Sequence, residues 1–154
     1  MHLLFICTGN TCRSPLAEAI ARRLIAERGI PDVTVGSAGT SAWPDAPASD
    51  GSLLVALEHG MDLGEHRART LSPELVASAD LLLAMGPHHL ERAEALGGTG
   101  RSHLLTAYGS GHARAVSDPF GGDLDVYRGT YQELEQEIGR VLDRIIAGRT
   151  PPHA

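Results

Sequence analysis

Residues 3–15 read Leu3-Leu4-Phe5-Ile6-Cys7-Thr8-Gly9-Asn10-Thr11-Cys12-Arg13-Ser14-Pro15. Leu3–Ile6 forms a short strand that is apolar on both sides, and a polar turn holding Gly9 and Asn10 ends it. Ser14-Pro15 predicts a helix start, because serine is a good N-cap and proline suits the first helical position. Leu16, Ala19, Ile20, Leu24 and Ile25 then recur at helical spacing as far as Gly29, a candidate C-cap.

Outward from this unit the alternation continues. Val33–Val35 reads as a strand and Gly36–Ser49 as a turn-rich loop carrying Trp43. Ser52–Glu58 reads as a helix, and Ser72-Pro73-Glu74 opens a short one. Asp80–Met85 is a central strand closed by Gly86-Pro87, His88–Leu96 a helix, Ser102–Leu105 a strand and Gly109–Ser117 a loop. Leu124–Ala147 is the last helix, with Leu134, Ile138, Val141, Leu142 and Ile145 on one stripe. Apolar strands alternating with helices predict an α/β fold, a parallel sheet covered on both faces. The expectation is one domain over residues 1–147, with 148–154 a frayed tail. In such sheets ligands bind at the carboxyl ends of strands, so the loop after the first strand is the place to look for chemistry.

Composition narrows the classes. The chain has 154 residues, 42% hydrophobic and 21% charged, enough for a packed core. All 13 basic residues are arginine, against 19 acidic ones, and the net charge is −6. Without lysine there is no Schiff base for pyridoxal phosphate and no Walker-type phosphate lysine. A mildly acidic chain without a basic block is a poor binder of nucleic acid or membrane surfaces. Cys7 and Cys12 are too few for a disulfide scaffold, and no stretch approaches the roughly 18 apolar residues of a membrane span. Met1–Cys7 lacks the basic start of a signal peptide, so the expectation is a soluble cytoplasmic protein, monomeric by default.

Six residues carry the chain from Cys7 to Arg13, enough to wrap once around a tetrahedral anion. Gly9 and Asn10 tolerate the left-handed dihedrals of such a wrap. Residues 8–12 (Thr8, Gly9, Asn10, Thr11, Cys12) and Ser14 would then cradle phosphate with their amides, aided by the helix N-terminus. That field favours the thiolate over the thiol at Cys7. Arg13 supplies a planar fork for two phosphoryl oxygens, and Ser14 can donate to the sulfur. Asp118-Pro119-Phe120 is the best candidate for a proton donor beside an aromatic wall, although Asp-Pro also belongs in ordinary turns.

These residues resemble the low-molecular-weight protein tyrosine phosphatases over nearly the whole chain. The resemblance rests on Cys7–Pro15 followed by Leu16-Ala17-Glu18-Ala19, on Ser117-Asp118-Pro119-Phe120-Gly121-Gly122, and on Ser37-Ala38-Gly39 and His66-Arg67-Ala68-Arg69 between them. It implies a four-stranded parallel sheet in three layers and a two-step reaction without metal or cofactor. Cys7 attacks phosphorus, Asp118 protonates the leaving atom, and Asp118 then serves as base for the water that releases phosphate. Asn10, Ser14, Ser37 and His66 would hold the loop, and Cys12 would be a redox partner for Cys7.

The substrate is a phosphoprotein on this reading, and two residues pull in different directions. Thr11 and the Asp-Pro-Phe-Gly-Gly run are similar to a bacterial branch of protein-arginine phosphatases, and a hydroxyl at the rim suits a polar guanidinium. Trp43 and Phe120 are walls that suit a phosphotyrosine ring. Phosphoarginine is favoured, because a rim residue touches the reacting group. An arsenate reductase would need further cysteines after Cys12, and a phosphate-gripping binding module would lack Cys7 or Asp118. His88, His89 and Glu91 could ligate a metal but read rather as a solvated helix face, as do Glu133, Glu135, Glu137, Arg140, Asp143 and Arg144. Gly97-Gly98 and Gly109–Gly111 read as loop tips.

Overall fold

The computed structural model describes residues 1–149. Strands β1 (His2–Cys7), β2 (Thr34–Gly39), β3 (Leu81–Ala84) and β4 (Ser102–Leu104) form one parallel sheet in the order β2-β1-β3-β4. Helices α1 (Arg13–Arg28), α2 (Asp50–Glu58), α3 (Pro73–Ser78), α4 (Pro87–Ala93), α5 (Leu105–Gly109) and α6 (Leu124–Arg149) surround it. Leu3, Phe5 and Cys7 of β1 join the larger core with α1 and α6, while Leu4 and Ile6 join the smaller core with α3 and α4. This alternation onto two covered faces is why the strand is apolar at every position.

The edge strands differ from expectation. Thr34-Val35-Gly36-Ser37-Ala38-Gly39 and Ser102-His103-Leu104 are not apolar throughout, because each pairs on one side only. Strand β2 also runs four residues into the stretch expected to be loop. Its glycines read as turn residues, but one of them answers to space: a Cβ on Gly39 would lie 2.5 Å from the Thr8 carbonyl oxygen.

Three helix boundaries also need correcting. Helix α1 starts at Arg13, and Ser14 lies inside its first turn rather than capping it. Gly29 does cap its far end, at φ 61°. The Ser-Pro reading holds for α3, where Ser72 Oγ accepts from the Leu75 amide at 3.2 Å. Helix α5 occupies residues not expected to be helical. A wide π turn, Glu94–Gly98, follows α4; Gly98 there is buried, not a loop tip, with room for no side chain beside Ser102 Oγ. Helix α6 takes in Gly148 and Arg149 of the expected tail, and residues 150–154 lie outside the described residues.

The stripe of α6 faces the larger core as expected, but Glu137 is buried with it, 2% exposed. Its carboxylate accepts from the Ser110 amide at 3.0 Å and meets Arg114 and Arg140 at 3.6 and 3.4 Å. These partners compensate its loss of water. Among the described residues, no helix is long and apolar enough to cross a membrane.

The chain moves from β1 to β2 on one side and from β3 to β4 on the other, so strand order reverses between β1 and β3. A crevice at the carboxyl ends of the strands follows from that reversal. Residues 7–14 occupy it.

Candidate active site

Strand β1 delivers Cys7 to the crevice, and after five intervening residues α1 begins at Arg13. Asn10, at φ 56°, is the one residue of this loop in the left-handed region. Gly9, expected to share it, does not, and a Cβ there would meet only Thr11 Oγ1 at 3.5 Å. The bend rests on asparagine, whose short side chain tolerates that region by bonding locally.

Those bonds are the frame of the loop. Asn10 Nδ2 donates to Ser14 Oγ at 2.8 Å and to Ser37 Oγ at 3.0 Å. Its Oδ1 accepts from the Arg69 amide at 2.9 Å, and its carbonyl accepts from His66 Nε2 at 2.7 Å. Ser37 Oγ passes its own hydrogen to Glu18 Oε1 at 2.7 Å. Asn10, Ser14, Ser37 and His66 are thus one connected network. Ser14 Oγ also lies 2.9 Å from Cys7 Sγ. A hydroxyl has one hydrogen to give; accepting from Asn10, Ser14 keeps it for the sulfur. That geometry explains why Ser14 does not cap α1.

Both cysteines are free and buried. Cys12 Sγ donates to Ser49 Oγ at 3.3 Å and lies 3.5 Å from the Tyr127 hydroxyl. Tyr127 was not singled out by sequence; its place on the α6 stripe signals core, not a partner for the thiol. Burial pushes its pKa up.

Arg13 is buried, with Nη1 donating to the Val116 carbonyl at 3.0 Å and Nη2 3.7 Å from Asp118 Oδ2. The Asp118 side chain is 55% exposed, and its Oδ1 accepts from the Phe120 amide at 3.1 Å. The adjoining Ser117 is tied to α6: its amide donates to Glu133 Oε1 at 3.2 Å and its carbonyl accepts from Thr130 Oγ1 at 3.4 Å. A cavity of about 260 Å³ is walled by residues 7–9 and 11–13, with Asp118 and Phe120 across from them. Thr11 is in this wall. Asn10 and Ser14 sit fully buried behind it. Trp43 is outside the wall and 82% exposed.

His89 corrects the reading of α4 as a solvated face. It is 6% exposed, and its Nε2 lies 2.8 Å from Thr8 Oγ1. Burial, then the charge of Arg13, pushes its pKa down to about 4. Neighbouring helix residues point about 100° apart, so the pair His88-His89 was a signal that both could not share one face. Among the described residues, no cluster of three or more His, Cys, Asp or Glu could hold a metal ion.

Residues 2–149 match the family described as low molecular weight phosphotyrosine protein phosphatase. The chain is 41% identical over 147 residues to a protein-arginine-phosphatase of Bacillus subtilis, covering 94% of this chain and 97% of that one. It is 37% identical over 142 residues to the low molecular weight protein-tyrosine-phosphatase PtpB of Staphylococcus haemolyticus, covering 92% and 97%. Among solved structures it is similar to the YwlE arginine phosphatase, a cysteine-to-serine mutant with a phosphorylated active-site serine. The TM-score is 0.92 at 36% identity, covering 97% of this chain and 98% of that one. Fold, loop and relatives agree: the chain belongs to the low molecular weight phosphotyrosine protein phosphatase family.

Proposed function

We propose that this phosphatase removes phosphoryl groups from phosphoarginine side chains of proteins, through a phosphocysteine on Cys7. The observation that carries the substrate choice is the make-up of the cavity wall: Thr11 lines it and brings a hydroxyl, and Trp43 stands away from it. A guanidinium is planar and rich in donors, and the Thr11 hydroxyl can accept from it. Relatives named as arginine phosphatases, one with a phosphorylated serine in place of its active-site cysteine, support the reading.

Cys7 Sγ attacks phosphorus in line, the P–N bond breaks, and Asp118 gives its proton to the departing nitrogen. Ser14 donates to the sulfur, steadying the thiolate before attack and as the leaving group afterwards. Arg13 and the loop amides take up charge on the equatorial oxygens. Asp118, now a carboxylate, accepts a proton from water as that water displaces the sulfur. One chain supplies every group in this scheme, which fits a monomer; we place it in the cytoplasm, with Cys12 as redox partner of Cys7.

Phe120, in the wall, favours a second reading, phosphotyrosine, since its ring could stack on the substrate. Matched phosphoarginine and phosphotyrosine peptides decide between them, with kcat/KM measured for each and Cys7→Ser as control. A preference for phosphoarginine of about tenfold or more, some 1.4 kcal/mol in the transition state, supports the proposal. A preference for phosphotyrosine overturns it.

A further inference from the structure

Thr8 follows the candidate nucleophile and forms part of the cavity wall, where its Oγ1 meets His89 Nε2 of α4 at 2.8 Å. On its other side the Thr8 carbonyl accepts from the Ser41 amide at 2.9 Å. The threonine is therefore held from two flanks while remaining exposed to a ligand. The second ring nitrogen of His89, Nδ1, is buried with no hydrogen-bond partner. It faces the start of its own helix, where a Cβ on Gly86 would lie 3.5 Å away.

A neutral imidazole carries one ring proton, and its place follows from these surroundings. A buried N–H without an acceptor is rarer than a buried acceptor left bare, so the proton belongs on Nε2. His89 then donates to Thr8 Oγ1. A hydroxyl that accepts there keeps its own hydrogen for a different acceptor. The charges of Arg13 and Asp118 both act on the imidazole, which places it beside the end of the cavity that holds the candidate acid and the phosphate-gripping arginine.

We propose that His89 is a positioning residue that makes the Thr8 hydroxyl a donor to the phosphoryl oxygens of the substrate, an inference that rests on the phosphatase reading of the loop. The neutral ring suits this role, because a protonated ring would leave a charged, unpaired Nδ1–H in the core.

The test compares wild type with Thr8→Val, His89→Leu, His89→Gln and the Thr8→Val/His89→Leu double variant. Leucine fills the space without a donor, and glutamine restores an N–H. The readouts are kcat and KM on p-nitrophenyl phosphate, the inhibition constant of inorganic phosphate, and the His89 tautomer by nitrogen–proton NMR. Expected are an Nε2–H neutral ring and phosphate binding weakened roughly three- to tenfold by either single substitution. The double variant should lose no more than a single one, and His89→Gln should recover most of the affinity. An Nδ1–H or charged ring in the wild type overturns the proposal, as do losses that multiply in the double variant. Should His89→Leu not fold, unchanged phosphate binding in Thr8→Val overturns it equally. Turnover that survives in Cys7→Ser would instead sink the phosphocysteine reading of the loop, without altering the tautomer result.

Discussion

Arg13 Nη2 stands 3.7 Å from Asp118 Oδ2 while Nη1 of the same guanidinium donates to the Val116 carbonyl at 3.0 Å. One buried side chain therefore links the floor of the cavity to the loop carrying the candidate acid. The link has a chemical logic: a guanidinium has five donors in a plane, enough to serve phosphoryl oxygens and a carbonyl together.

Arg13→Lys tests that double service. A lysine is a point charge and cannot reach Val116 while gripping two oxygens. We expect kcat/KM to fall by about 10²–10³-fold, with the folded state retained by circular dichroism. A loss under tenfold would show that the planar fork is not needed.

Asp118→Ala separates acid catalysis from binding. Cleavage of a substrate with a poor leaving group should fall about 10²–10⁴-fold, while one with a good leaving group should fall far less. Equal losses on the two substrates would remove the proton-donor role.

Asn10→Gly and Asn10→Ala divide the work of one residue. Glycine adopts φ 56° freely but abandons the bonds to Ser14, Ser37 and Arg69; alanine abandons the same bonds and adds backbone strain. Unsatisfied buried partners predict a loss of about 2–4 kcal/mol for glycine, with alanine about 1 kcal/mol worse. Denaturant unfolding measures both, and equal stabilities would show that the dihedral carries no strain.

Gly39→Ala brings a Cβ to 2.5 Å from the Thr8 carbonyl oxygen and 2.9 Å from the Asn10 amide nitrogen. Backbone cannot rotate away as a side chain can, so the loop must shift. We expect kcat/KM to fall at least about tenfold, since small displacements of reacting groups are costly. Wild-type kinetics would mean that the loop gives way without consequence.

The stability of the protein should report His89. Its folded pKa is lowered from 6.5 to about 4, so between those values the unfolded chain binds the proton and the folded one does not. Stability therefore falls as pH drops from 6.5 toward 4, by at most about 3 kcal/mol from this group. The difference between wild type and His89→Gln across that range isolates the contribution. A flat difference would show that the ring is free to protonate in place.

The loop, with Cys7 and Arg13 at its two ends, was legible in the sequence because these residues and the Ser-Pro step lie within nine consecutive residues. Backbone direction alone confines them. Apolar β1 and β3 were legible for a similar reason: each is buried on both faces. What stayed hidden depends on contacts between distant segments. Gly36–Gly39 read as a turn because glycine is ambiguous until its neighbours, here Thr8 and Arg69, are known. Glu137 read as solvated because its partners, Ser110 and Arg114, come from a loop before its own helix. His89 was missed because nothing in the local pattern says that Thr8 waits across the sheet.

The frame around Asn10 is closed by bonds within the protein, to Ser14, Ser37, His66 and Arg69, so a ligand need not supply them. That cuts both ways for a hydrolase. On the phosphate-binding reading of this loop, the same cradle holds the released product as well as the substrate, and inorganic phosphate should slow the enzyme in proportion to its occupancy. The same occupancy raises the melting temperature, since a ligand at a hundred times its dissociation constant adds about 2.7 kcal/mol to apparent stability. Measurements made in phosphate and in a buffer without oxyanions would then describe two different species, the product complex and the free protein.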